Sequence, residues 1–469
     1  MSRMNRRTYR REFLRTAAVG GLGALLAACA TPATPTSAPQ PTAVQATAVP
    51  PTEAPTAVPT AAPVTIKHWR HMTPSGEKIT KALLEEFREV SPEITVTAEF
   101  IPDGEYEQRI KTAIATGELA DAFQLGDTLY ESLLGKGVFA PVDAGAMGYK
   151  DQADLLAKRF IPGVMDVCMR DGMLYAGGMP EYGTWAIAYN LDSFDQAGVA
   201  YLSEDKPLTW DEYLELARKL TLRDADGKMT QMGEGQWIGC QDNPVGSMII
   251  LDPMFKQFGG ECYDPVSGEP LNKDIWLKIA NIMGDCALGG KYGYVDMGFP
   301  SGTNAHPELF VGRIAVMMGG IWAEGWGKTV NEKLRLAFAP FPQVDDTHNA
   351  CFTGYWAWAV NAKSAPERQA AGWKWIEFIS NDTNAVRWFD EGGELQPRNI
   401  EGFAEHCIAK SPGLKVFIND AGRGKRPVQG PQVTEHWEVM RKMTEAIFKG
   451  GAKPADAVES AWKAMQEIG

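Results

Sequence analysis

The segment from 64 to 126 constrains the fold more than any other part of the chain. "VTIKHWR" at 64–70 reads as a short strand. "GEKITKALLEEFREV" follows, with Ile79, Leu83, Phe87 and Val90 at helical spacing, and "SP" ends it. "ITVTAEFI" alternates Ile94, Val96, Ala98 and Phe100, a strand with two different faces. "GEYEQRIKTAIATGEL" returns to the helical period through Tyr106, Ile110 and Ala113, and "ADAFQLGD" reads as a buried strand. Strand, helix, strand, helix, strand in so short a span implies an α/β unit wound over a mainly parallel sheet. Ligands of such sheets sit outside the carboxyl ends of the strands, here 71–75 and 126–130.

The part from Val64 onward is too long for a single core and comfortable for two lobes. Its middle is more helical. "PLTWDEYLELARKLT" carries a capping box, Thr209 with Glu212, and a hydrophobic staple of Leu208 on Tyr213. "DADGKMT" reads as a hairpin turn; Asp224 and Asp226 resemble the start of a calcium loop, but the later ligands and the closing glutamate are missing. A second box, Ser364 with Glu367, is expected to open the helix of "SAPERQAAGWKWIEFIS". Near the C-terminus Val458, Ala461, Trp462, Met465 and Ile468 form an apolar stripe expected to face the core.

The N-terminal end reads as an export signal. "YRREFLR", with Arg10 and Arg11, looks like a twin-arginine signal, and the apolar run after it is too short to span a bilayer. "LLAAC" resembles the lipobox of bacterial lipoproteins, which makes Cys29 the lipidated residue and 1–28 the part removed. Two acyl chains are enough for stable attachment to a membrane. The stretch from 29 to 63 is Ala, Thr and Pro with little else, a tether expected to stay extended or disordered, reaching on the order of 100 Å. Residues 1–28 hold six arginines against Glu12, so their removal takes the net charge from −13 to −18. That balance argues against a nucleic-acid partner, which requires clustered Lys and Arg. Besides Cys29 there are six cysteines, at 168, 240, 262, 286, 351 and 407, with no CxxC spacing. Outside the cell they can pair or stay as buried thiols.

The catalytic templates are absent: there is no GxSxG elbow, HExxH or Walker loop. The six histidines are scattered, too thinly for zinc capture. No cofactor, metal or catalytic residue is expected, although spacing alone does not exclude a glycosidase carboxylate pair. Aromatic residues stand out instead. Of fourteen tryptophans, Trp237, Trp322, Trp326 and Trp356 fall beside Gly, Pro or turn residues. Flat rings at the mouth of an α/β cleft suit the C–H faces of sugars. In "GGIWAEGW" the glycines are expected to let a ligand approach Trp322 closely.

The order of segments resembles the bacterial extracellular solute-binding proteins of family 1, relatives of maltose-binding protein, over nearly all of 64–469. "ATGELADAFQLGD", "DGMLYAGGMPEYGTWAIAYNLDSFDQAGV", "PLTWDEY", "ELFVGRIAVMMGGIW", "FAPFPQ" and "GELQPRN" carry the likeness. It implies a two-lobe periplasmic-binding-protein-like fold, each lobe a mainly parallel sheet flanked by helices, joined by three hinge crossings. Lobe one would comprise 64–182 and 357–402, and lobe two 183–356 and 403–469. The crossings would fall near 181–186, 352–358 and 398–405.

The resemblance further implies a receptor that binds a sugar or oligosaccharide between the lobes and delivers it to the permease of an ABC transporter. It would be a monomer and no enzyme, lipid-anchored at the outer face of the cell membrane. Trp322 matches the family's "G-x-W" platform. Tyr182 and Gly183 lie at the first crossing; Asp127, Thr128 and Tyr130 follow the "LGD" strand; Tyr355 and Trp356 line the second crossing. Arg398 follows "LQP", Trp437 begins a helix that carries a stacking ring in maltose-binding protein, and His71 ends the first strand. Gln241 and Asp242 come from a loop of variable length. Where maltose-binding relatives carry a charge at the first crossing this chain reads "EYGTW", with the acid at Glu181, which puts maltose itself in doubt. A receptor of the same fold for a peptide, polyamine or anion is the alternative, and a surface carbohydrate hydrolase a third. "RGKR" at 423–426 is the one basic run, read as a solvated loop.

Overall fold

The computed structural model describes residues 63–241, 244–299, 305–430 and 432–468. The signal, Cys29 and the Pro-rich tether through 62 lie outside them, as does Asp242.

The opening alternation folds as its pattern dictates. β1 (Val64–His71) and β2 (Ile94–Ile101) pair in parallel, and β3 (Ala122–Gly126) joins β1 on the other side, also in parallel. The helix Pro74–Val90 starts where the Thr73 side chain accepts from the Gly76 amide, with proline at its first position. It buries Ile79, Leu83 and Phe87, whereas Val90, its last residue, is 65 % exposed and contributes nothing to the core. The helix Asp103–Thr116 buries Tyr106, Ile110 and Ala113 and ends in left-handed Gly117.

After a short ribbon of β4 (Met169–Arg170) and β5 (Met173–Leu174), β6 (Gly178–Thr184) joins this sheet and β7 (Ala186–Asn190) joins another. Trp185 alone separates them. β8 (Leu222–Arg223) and β9 (Met229–Glu234) form a hairpin over the "DADG" turn, where the Asp224 carboxylate accepts from the amides of Asp226 and Lys228. β10 (Ile314–Gly319), β11 (Leu336–Ala339), β12 (Cys351–Val360) and β13 (Gly424–Lys425) complete the set. The first sheet runs β13-β12-β3-β1-β2 with β6 on β12, and the second runs β11-β7-β10-β9-β8.

The second sheet is mixed and not mainly parallel. Only the β9–β10 pairing is parallel, because β8–β9 is a hairpin and β7 meets both β10 and β11 antiparallel. β7 is buried on both faces: Ile187 and Tyr189 enter one core, Ala186 and Ala188 the other, as a strand with helices on both sides must.

β12 runs from the core beside the second sheet, where Cys351 and Phe352 are buried, into the first sheet. It pairs with β13 at 351–352, with β6 from Thr353 to Trp358 and with β3 from Trp356 to Val360. A further connection leaves the first sheet after Arg398, which bridges Phe160, and enters the second core at Phe403.

The capping box of Thr209 and Glu212 forms. The one at Ser364 does not. Its hydroxyl donates to Asp121 at 2.6 Å, and Ala365 precedes the helix Pro366–Ile379 with no side-chain cap. In the helix Pro454–Gln466, Val458, Ala461 and Met465 are buried, while Trp462 packs half-buried against Trp276. All six described cysteines are free and buried. Among the described residues no helix is long and apolar enough to cross a membrane.

Candidate ligand site between the two sheets

Loops at the carboxyl ends of β1, β3 and β10 converge with the two connecting strands β6 and β12. β10 ends at Gly319, and Trp322 opens the helix Trp322–Val330. A side chain on Gly320 would begin 2.4 Å from Trp322 Nε1, so glycine stands there because the indole folds back over that corner. The room is taken by the ring itself, which corrects the expectation that the glycine leaves space for a ligand. Trp322 is half-buried in an aromatic cluster. Trp185 meets it edge-to-face at 5.6 Å, His306 at 5.0 Å, and Trp326 lies tilted at 5.7 Å. Burial holds the His306 imidazole neutral, its pKa lowered to about 4.

On the first-sheet side the end of β1 supplies Arg70 and His71. Arg70 pairs with Glu394, both buried, and its guanidinium lies 4.5 Å over Trp388. His71 stacks on Trp356 with ring centres 4.0 Å apart, and its Nδ1 contacts Gln124 Oε1 at 3.2 Å. Burial, then the Arg70 charge, lowers its pKa to about 3, so the ring is neutral. At the end of β3 the Asp127 carboxylate accepts from the Thr128 amide at 2.7 Å, the Thr128 hydroxyl at 3.2 Å and the Tyr355 amide at 3.4 Å. Burial and then the Glu131 charge push it up to about 7.

Glu181 on β6 makes no hydrogen bond or ion pair among the described residues. Burial, then the charges of Glu394 and Asp127, raise its carboxyl to about 8 against the opposing pull of Arg70. Its Oε1 lies 3.4 Å from where a Gly320 side chain would start, so it reaches the corner that carries Trp322.

The sequence-derived candidates divide. Trp322, Gly183, Asp127, Thr128, Trp356 and His71 come together here, whereas Tyr182, opposite buried Tyr355 across β6 and β12, packs against the first core. Gly183 faces open space, and the Tyr182 amide donates to the Leu395 carbonyl at 3.1 Å. Tyr130 does not join them: it is fully buried and stacks on Phe139 at 4.7 Å. Trp437 is also core, because Val433, Trp437, Met440 and Ile447 share the buried face of the helix Val433–Phe448. Trp237, taken for a loop-edge ring, is buried and donates from Nε1 to the Tyr294 hydroxyl at 2.9 Å.

Arg398 is structural, paired with Asp382 and donating to the Ser380 carbonyl at 2.5 Å. Tyr355 is buried with its hydroxyl donating to Glu131 at 2.9 Å, a support beneath Asp127. Gln241 donates to Thr444 at 2.8 Å. The basic run is no free loop either: Arg423 pairs with Asp420 and Arg426 with Glu131.

Sequence reasoning missed Trp185, His306, Arg70 and Glu394. Trp185 stands in the quoted "EYGTW" and was within reach; Arg70 and Glu394 are 324 positions apart and meet only in the fold. A separate groove of about 730 Å³ lies toward the amino ends of β1 and β3. Four of its charges pair, Arg109 with Glu99 and Arg368 with Asp121, and its lining shares no residue with the aromatic cluster.

The fold has relatives among solved structures. The chain superposes on an ABC substrate-binding protein, Lmo0181 from Listeria monocytogenes, solved with cycloalternan (TM-score 0.73, 19 % identity, 86 % of this chain and 98 % of that one). It superposes on the maltose/maltodextrin-binding domain MalE from Bdellovibrio bacteriovorus, bound to maltotriose (0.68, 19 %, 86 % and 99 %). It also superposes on UgpB from Mycobacterium tuberculosis, in complex with glycerophosphocholine (0.67, 20 %, 86 % and 98 %). At these identities the likeness establishes the two-lobe binding-protein fold. No curated protein matches in sequence. The sequence profile described as "Bacterial extracellular solute-binding protein" matches residues 71–386. The chain belongs to the bacterial extracellular solute-binding protein family.

Proposed function

We propose that this protein is a lipid-anchored receptor that captures a sugar or oligosaccharide between two lobes and hands it to an ABC permease. The observation that carries the reading is the half-buried cluster of Trp185, Trp322 and Trp326 facing polar groups at the strand ends of the other sheet. Indole faces cover the apolar face of a sugar ring, and a few fixed polar groups satisfy its hydroxyls. Two of the three named structural relatives are described with oligosaccharides bound, which supports the class.

In this reading lobe one is 64–182 with 357–402, and lobe two is 183–356 with 403–469. The short crossings at Trp185 and along β12 act as hinges, and ligand shifts the lobes toward the closed form by contacts made only there. No covalent step is needed, so the protein works as a receptor and not as an enzyme. "YRREFLR", "LLAAC" and the Pro-rich stretch support export, lipidation of Cys29 and a tether that keeps the monomeric receptor near its permease.

A thermal-shift screen of the purified protein against mono- and oligosaccharides, peptides and polyamines tests the class. Saturating sugar is expected to raise the melting temperature by a few degrees. A shift with peptides or polyamines and none with any sugar contradicts it. A product released from an oligosaccharide would mark a hydrolase instead.

A further inference from the structure

The geometry points to a ligand that carries a positively charged group, seated between the Glu181 carboxylate and the indole faces of Trp185 and Trp322. The inference deepens the proposed function and rests on its placement of the solute site.

Three carboxylates surround this place. Asp127 is held by the Thr128 amide and hydroxyl and by the Tyr355 amide. Glu394, 6 % exposed, gives one oxygen to Arg70, while its Oε2 is buried with no partner. Glu181 has no partner at all among the described residues. Among the described residues Arg70 is the one cation acting on Glu181, and it is already engaged with Glu394 and stacked on Trp388. The nearby histidines, His71 and His306, are neutral. The corner therefore sets three carboxyl groups against one engaged cation, and an arriving cation favours the ionised form of Glu181.

Its other wall is aromatic. Glu181 Oε1 and Trp322 Nε1 lie 3.4 Å and 2.4 Å from the same point, the start of a Gly320 side chain, so carboxylate and indole converge. Trp185, also half-buried, stands edge-to-face on that indole. The Trp322 Nε1 edge points to this corner and leaves the ring's face to one side, and a carboxylate with an indole face alongside attracts an ammonium through its charge and through the ring quadrupole. The Glu394 Oε2 is removed from water without a partner, which is costly, while half-buried Glu181 stays open to a partner from solution, and a cation bound between them supplies it. The group can be the amine of an amino sugar or a quaternary ammonium on another polar solute; the chemistry that recognises it is shared.

Matched pairs of probes test this by calorimetry on the purified protein: glucosamine against glucose, the β-1,4 glucosamine disaccharide against cellobiose, and choline against 3,3-dimethylbutanol. The aminated member of at least one pair is expected to bind tenfold or more tighter than its neutral counterpart. The variant Glu181→Gln, isosteric and without a native partner to lose, is expected to erase that preference while staying folded, as a cooperative thermal transition shows. A preference confined to the sugar pairs identifies an amino sugar, and one confined to choline a quaternary ammonium. Neutral sugars binding as well as aminated ones overturn the cation inference and leave the sugar receptor standing. A preference that persists in Glu181→Gln overturns the assignment of Glu181. Binding of no probe in any pair contradicts the inference and the sugar reading together.

Discussion

Gly325 lies against the carbonyl of Gly392, so closely that a side chain on Gly325 would begin 2.7 Å from that oxygen. Gly325 belongs to the helix that carries Trp322, and Gly392 ends the helix Asp382–Gly392, whose Trp388 packs in the core of the first sheet. Under the proposed lobe division this is a backbone-to-backbone contact across the cleft, and only glycine permits it. Gly393, left-handed at φ 73°, stands beside the Trp322 backbone at the same place.

The variant Gly325→Val follows from this. A backbone carbonyl cannot swing aside as a side chain can, so the lobes are expected to be held apart. Ligand affinity should fall at least tenfold, and small-angle scattering should show no compaction on adding ligand. Wild-type affinity together with normal compaction would remove the contact from the closing motion.

The pH dependence of stability has a definite sign. Glu181 and Glu234 have folded pKa values of about 8 and Asp127 of about 7, all raised chiefly by burial. Below about pH 6.5 the buried neutral His68, His71 and His306 oppose their effect, because they take up protons only on unfolding. Between about pH 6.5 and 8 the carboxyls dominate, the folded chain binds more protons than the unfolded chain, and stability falls as pH rises. The ligand-free melting temperature is expected to be lower at pH 8 than at pH 6.5 by a few degrees, each kcal/mol being worth about 2 °C or more. Glu181→Gln should flatten part of the slope, since Glu394, Asp127 and Arg70 that face it stay in place. A flat or rising curve in wild type would contradict the burial of these acids.

Arg70 and Glu394 act as a buried unit. Arg70→Ala leaves the Glu394 carboxylate inside the fold with no counter-charge, a loss of about 3–5 kcal/mol for a pair of this kind. The double variant Arg70→Met, Glu394→Gln removes both charges and should recover most of that loss in a denaturant titration. Equal stability of Arg70→Ala and wild type would show the pair to be solvated.

Much of the fold was legible because local pattern and tertiary role coincide. The helical spacing of Tyr106, Ile110 and Ala113 and the alternation beginning at Ile94 each describe one buried face. The mixed second sheet was not legible, since strand direction depends on where β7 arrives from the crossing. Of the site, Trp322 and the "LGD" corner could be read because each lies at a strand end. Tyr130 and Trp437 misled for a shared reason: resemblance gave their place along the chain, while the helical period of their own segments turned their rings inward. The acidic corner of Glu181, Glu394 and Asp127 could not be read at all. Its members come from three distant segments, and only folding sets their charges against each other.

The measurement closest to the central claim is a calorimetric titration of the best-binding sugar into wild type and Trp322→Ala. Loss of an aromatic anchor costs about 2 kcal/mol or more, so affinity is expected to fall about 30-fold or further while the variant stays folded. Equal affinity in the two proteins would contradict the account, because the ring at the meeting of the two sheets would then not touch the solute.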